Sequence, residues 1–170
     1  PMGKPILLSG MMGCGKGRFG RLLAGRMGLP LIDLDEEIAR AAGRSIPEIF
    51  AEEGDAGFRL HETAALGRAL DAGEAVIATG GGIVTREENI RMMREKGVVV
   101  WLCRPLEDMI ADVRQDTRPN LAGDKEERMR TLYAQRAHLY EAAAHLQFDN
   151  RMPPREAAKM LEKLLTERKK

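Results

Sequence analysis

The chain has 170 residues, 27 basic against 26 acidic side chains, two cysteines and three histidines. That length fits one domain that needs no disulfide or metal staple. Near-neutral charge gives no bulk field to attract nucleic acid or a membrane surface, and no apolar run is long enough to cross a bilayer. Cys14 and Cys103 cannot form a disulfide framework, and His61, His138 and His145 are too scattered for a zinc site. A cytoplasmic address follows as the expectation.

Apolar runs alternate with helical patterns from end to end, which predicts a three-layer α/β/α sandwich on a five-stranded parallel sheet. Pro5–Ser9 is a first buried strand, ending in the glycine-rich run Gly10–Gly17. Lys16–Met27 has helical spacing with Gly28 as its C-cap. Leu31–Leu34 is a second strand, followed by a helix that stops at Gly43. Ser45 and Glu48 form a capping box for a short helix, Ile46–Glu53, and a further helix runs from about Phe58 to Leu70. Ala75–Thr79 is the third strand, broken by Gly80–Gly82, and Thr85 with Glu88 reads as a capping box opening a helix to about Lys96. Val98–Leu102 is the fourth strand, and Pro105 starts another helix. Residues 115–125 turn polar and loop-like, the pattern is helical again to about Ala144, Leu146–Phe148 is a weak fifth strand, and Pro154–Leu165 closes the chain.

The strongest local signal is strand–GxxxxGK–helix at Gly10, Met11, Met12, Gly13, Cys14, Gly15 and Lys16. Glycines let backbone N–H groups converge on phosphate oxygens, the helix N-terminus adds its positive end, and the lysine neutralises a transferring phosphoryl group. The pattern calls next for Ser or Thr, whose hydroxyl ligates Mg²⁺; this chain has Gly17, then Arg18. The cradle is retained and a direct metal ligand is not, a loss of about 10–100-fold by comparison with other metal-site contacts.

Asp33-Leu34-Asp35 ends the second strand at the carboxyl edge of the sheet, where open α/β proteins bind ligands. Strand alternation would put both carboxylates on one face, one to accept a hydroxyl proton or hold metal-bound water, the other to bind hydroxyls. Asp35 can equally be read as a helix N-cap.

Taken together, GxxxxGK at Gly10–Lys16, DLD at Asp33–Asp35, GFR at Gly57–Arg59, GGG at Gly80–Gly82, Arg118-Pro119 and Arg136 within QRAHLY resemble shikimate kinase over nearly the whole chain. The resemblance implies a P-loop fold of the nucleoside-monophosphate-kinase type and ATP- and Mg²⁺-dependent phosphorylation of the shikimate 3-hydroxyl, in the pathway to aromatic amino acids. It implies Lys16, Asp33 and Arg118 as catalytic, with Asp33 near the metal through water. It implies Asp35, Arg59, Gly80, Gly81, Gly82 and Arg136 as the shikimate site, with Phe50, Phe58 and Glu62 lining it. Gly10–Arg18, Arg114 and Pro154 would hold ATP. Residues 35–62 would carry acceptor-binding helices, residues 117–125 a lid closing Arg118 onto the phosphate, and a monomer would suffice. Asn120 departs from the leucine usual after Arg-Pro. A gluconate-type kinase and a nucleotide-binding pseudoenzyme, suggested by Gly17, remain as alternatives.

Overall fold

A computed structural model of the chain describes residues 3–114 and 125–168. Five strands, β1 Ile6–Ser9, β2 Leu31–Asp33, β3 Val76–Ala78, β4 Val98–Cys103 and β5 Leu146–Asp149, pair in the order β2-β3-β1-β4-β5, all parallel. Between and after them lie α1 Lys16–Met27, α2 Leu34–Ala42, α3 Ile46–Asp71, α4 Glu87–Lys96, α5 Leu106–Arg114, α6 Lys125–Ala143 and α7 Pro154–Arg168. β1 and β3 are apolar throughout apart from Ser9 and fully buried, as strands covered on both faces must be.

Right-handed crossovers fix the layers. The step from β1 to β2 and the step from β3 to β4 run in opposite directions across the sheet, so α1 and α4 cover opposite faces. In keeping with this, α1 packs with α7, while α4 packs with α3 and α6. A Cβ on Gly20 would stand 3.2 Å from Leu31 and 3.3 Å from Leu8, so glycine is what lets α1 approach the sheet. Gly25, also inside α1, meets nothing within 4 Å. Gly25→Ala should therefore stabilise the fold by about 0.5–1 kcal/mol, raising Tm by roughly 1–4 °C in a thermal melt, while Gly20→Ala should lower it.

Register sets the working edge. Asp33 pairs with Ala78, which pairs with Leu8, and Ser9 pairs with Trp101. The segments that leave β1, β2, β3 and β4 thus emerge side by side at one rim of the sheet.

Two local expectations need correction. Leu34 begins α2 rather than ending β2, because the Asp33 carboxylate caps the helix by accepting from the amides of Asp35 and Glu36 at 3.0 and 3.3 Å. Asp33, not Asp35, is the N-cap, and the two are not alternate residues of one strand. Thr85 does not cap α4: it ends a 3₁₀ turn, Ile83–Thr85, its hydroxyl donates to the Gly82 carbonyl, and Arg86 takes the N-cap position. The two helices expected between Ile46 and Leu70 are both present within α3, parted as expected after Glu53 by Gly54, whose φ of 71° only glycine adopts readily. Ser45 caps α3 as expected, accepting from the Glu48 amide at 3.3 Å.

Candidate active site

The loop between β1 and α1 is shaped by Gly10, Gly13 and Gly15, with φ of 141°, 83° and 93°. A Cβ on Gly10 would lie 2.8 Å from the Leu102 carbonyl, and one on Gly13 would lie 2.9 Å from that of Met109. Two donors from beyond the motif hold the loop's carbonyls: Arg104 reaches Gly13 O at 2.6 Å, and the Asn150 side-chain amide reaches Cys14 O at 2.9 Å. With those oxygens anchored, the loop's peptide planes are fixed. Lys16 curls back over the loop, donating to the carbonyls of Gly10 and Met11. Cys14 is buried beneath it as a small filler.

The start of α1 is set apart from the other helices. Its N-cap is Gly15, which offers no capping side chain, and its first turn carries no acidic residue. Every other described helix has at least one Asp or Glu there. The four N–H groups of a helix start need an acceptor and carry positive charge. Here the protein leaves that end for an anion.

Beside it, α2, α3 and α6 aim side chains at Gly80–Gly82. The Asp35 and Glu62 carboxylates lie 3.3 and 3.4 Å from where a Gly80 Cβ would stand. Arg136 Nη1 lies 3.7 Å from the same position on Gly81, as does the carbonyl oxygen of Gly10. A Cβ on Gly82 would run into the Arg59 guanidinium. Glycine at 80 and 82 is what admits the two carboxylates and the Arg59 guanidinium beside the phosphate loop, while Arg136 stands at ordinary contact distance from Gly81. Arg59 pairs with Glu62, which is 1% exposed, at 2.9 Å, and its guanidinium lies 5.2 Å from the Phe58 ring. Phe58 stacks on Phe50, which keeps an exposed face.

Burial raises the Glu62 carboxyl above its ordinary value, with Arg59 opposing. Asp35 is open at its edge yet crowded by protein; desolvation, then the charge of Asp33, raises its carboxyl, against Lys16 and Arg59. The order of these influences places Asp35 between the acidic end of β2, the lysine of the phosphate loop and the guanidinium of α3.

The family model for shikimate kinase matches residues 12–166. The chain belongs to the shikimate kinase family. A shikimate kinase of Symbiobacterium thermophilum is 42% identical over 165 residues, covering 94% of this chain and 95% of the relative. One from Ruegeria pomeroyi is 45% identical over 142 residues, 82% of this chain and 73% of the relative. Among solved structures, shikimate kinase from Acinetobacter baumannii in complex with shikimate superposes with a TM-score of 0.91 at 35% identity, covering 98% of this chain and 95% of that one. A sugar kinase from Janibacter, at 16% identity and a TM-score of 0.66, shares the fold alone.

Set against this family, Lys16, Asp33, Asp35, Arg59, Gly80, Gly81, Gly82 and Arg136 gather at one rim. Arg18 and Pro154 border a cavity of about 750 Å³, formed with Arg21, Leu22, Pro153, Arg155 and Glu156 at the starts of α1 and α7. Arg118 and residues 117–124 of the expected lid lie outside the described residues, as does the Arg114 side chain. Arg104 and Asn150 were not foreseen; the only hint is that they follow the ends of β4 and β5.

Gly82 offers a direct test. Its φ of −94° suits alanine, so the added methyl should leave the backbone in place and displace the flexible end of Arg59. Gly82→Ala should raise the KM for a carboxylate-bearing acceptor about tenfold, the worth of one charge-assisted contact. The KM for ATP should be unchanged, as steady-state kinetics on each substrate would read.

Proposed function

We propose that this chain transfers the terminal phosphoryl group of ATP to the 3-hydroxyl of shikimate. The observation that carries the proposal is the meeting of two unlike half-sites at Gly80–Gly82. An uncapped helix start suited to phosphate stands next to a pocket with paired carboxylates for hydroxyls and paired guanidinium groups for a carboxylate. The forks of Arg59 and Arg136 suit a planar carboxylate. Asp35 accepts hydrogen bonds from the ring hydroxyls. Asp33 orients the attacking hydroxyl and accepts its proton as the new O–P bond forms and the bond to ADP breaks. Lys16 leaves its loop carbonyls for the phosphoryl oxygens, and Arg118 joins it from the lid. Catalysis here is positioning and charge stabilisation, not covalent chemistry. Pro154 and Arg18 border the cavity that would receive the base end of ATP, and the family resemblance adds Arg114.

The residues present suit Mg²⁺ only loosely. Among the described residues no three His, Cys, Asp or Glu side chains could jointly hold a metal, and Gly17 offers no oxygen. Asp33 already spends one oxygen as a helix cap. Its other oxygen would hold the ion through water, the nucleotide supplying most ligands, as Mg²⁺ commonly accepts. Once bound, the ion neutralises phosphate charge.

No helix among the described residues is long and apolar enough to cross a membrane. The described site residues all come from one chain, and we propose a cytoplasmic monomer. The test is ATP consumption with shikimate, with gluconate and with no acceptor. Turnover dependent on shikimate supports the proposal; tight ATP binding with no acceptor-dependent turnover would favour a pseudoenzyme.

A further inference from the structure

Tyr140 lies one helical turn beyond Arg136 on α6, so the two side chains share a face. It is 0% exposed, and its ring stacks on Trp101 of β4 with centroids 6.0 Å apart. Its hydroxyl donates to the Gly81 carbonyl at 2.6 Å, and this hydroxyl and Arg136 Nη1 each stand 3.7 Å from where a Gly81 Cβ would lie. A phenol has one proton to give, and here it goes to a backbone acceptor. The Gly81 peptide is also the part of the glycine loop that faces the Gly10 carbonyl of the phosphate loop, 3.7 Å from its Cβ position. We infer that Tyr140 is a positioning residue: its hydroxyl holds the Gly81 peptide in place beside Arg136, so that the glycine loop presents a fixed surface next to the carboxylate-binding guanidinium. The inference rests on the reading of Arg136 and Gly80–Gly82 as the acceptor site.

The physical case has three parts. A bare loop of three glycines has the largest conformational freedom a chain can have, and a site built on it needs an external tether. The hydroxyl is that tether: its bond to Gly81 fixes the peptide plane. The stacked Trp101 ring anchors the phenol to the sheet, so the tether is referenced to the same strand layer that carries the phosphate loop. Burial pushes the phenol up to about 12, with Arg136 opposing, so it remains a proton donor throughout the working range.

The test is calorimetric titration of shikimate and of ATP into the full chain, with Tyr140→Phe, Arg136→Ala and the double variant. Tyr140→Phe keeps the ring, and the emission of Trp101, the single tryptophan in the chain, reports whether the stack survives. The expected result is shikimate binding weakened about tenfold, the scale of a buried acceptor left unpaired. ATP affinity and Trp101 emission should be unchanged. The shikimate carboxamide should lose less than the acid, and Tyr140→Phe should add less than about twofold when Arg136 is already alanine, since residues in one network are not additive. Wild-type shikimate affinity in Tyr140→Phe would overturn the inference, as would equal losses for acid, carboxamide and ATP, which would mark a packing role. If wild type itself bound no shikimate, or Arg136→Ala cost nothing, the acceptor reading would fall and the inference with it. A damaged Arg136→Ala beside an unaffected Tyr140→Phe would sink the inference alone.

Discussion

Asp35→Asn should lower kcat/KM for shikimate by roughly 10²–10⁴-fold, the worth of two charge-assisted hydrogen bonds to substrate hydroxyls, and should raise the melting temperature at neutral pH. Both effects come from one cause. Desolvation in the cleft and the neighbouring Asp33 lift the Asp35 carboxyl above its ordinary value, so the folded chain keeps that proton to a higher pH than the unfolded chain does. Between the ordinary value, near 3.8, and the raised one, the native state binds more protons. Stability therefore falls as pH rises through that window, and the penalty is largest above it. Asparagine keeps the shape and removes the charge. The Tm gain of the variant over wild type should be present at pH 7–8 and should shrink as pH falls toward the ordinary carboxyl value. Wild-type kcat/KM should decline on the acid side at a pH above the usual Asp range. Melts and kinetics across pH on both proteins check all three outcomes, and a variant that is less stable at neutral pH would show that Asp35 is structural.

Gly17→Ser should lower the Mg²⁺ concentration needed for half-maximal activity by about 10–100-fold, the scale of restoring one metal-site contact. The substitution has room: a Cβ at Gly17 meets nothing within 4 Å, and the residue lies inside α1 without a positive φ. Serine is also the better helix former by a few tenths of a kcal/mol, about a third of the glycine penalty, so a small Tm gain should accompany the change. The same side chain would stand in the first turn of the one described helix that lacks an acidic residue there, where its oxygen faces the nucleotide's metal. A Mg²⁺ titration at fixed ATP reads the effect. An unchanged requirement would mean that the ion is held by phosphate and water alone, and that Gly17 is no handicap.

The phosphate half was legible because its signal is contiguous: strand, glycine run, lysine and helix occupy adjacent positions, and each glycine's role follows from local backbone geometry. The sheet was legible for the same reason, down to the weak strand at Leu146. Asp33 and Asp35 were found but their geometry was misread. A three-residue strand and a helix N-terminus overlap in that sequence, and the competition was decided by which carboxylate caps, something spacing alone does not fix. Thr85 failed similarly, because its hydroxyl found a nearer acceptor in the Gly82 carbonyl. Arg104 and Asn150 gave no signal beyond their place after β4 and β5, since they act on carbonyls 91 and 136 residues away in sequence. The aim of Arg59 and Arg136 at the glycine loop came only through family resemblance; from the sequence alone each is an arginine on a helix face.

The most direct test is a crystal structure of the chain with shikimate and a non-hydrolysable ATP analogue. The expected complex has the substrate carboxylate bridged by Arg59 and Arg136, hydroxyls on Asp35, and the 3-hydroxyl in line with the terminal phosphate above Gly10–Lys16. Shikimate bound with its carboxylate away from both guanidinium groups, or its 3-hydroxyl turned from the phosphate, would contradict the account.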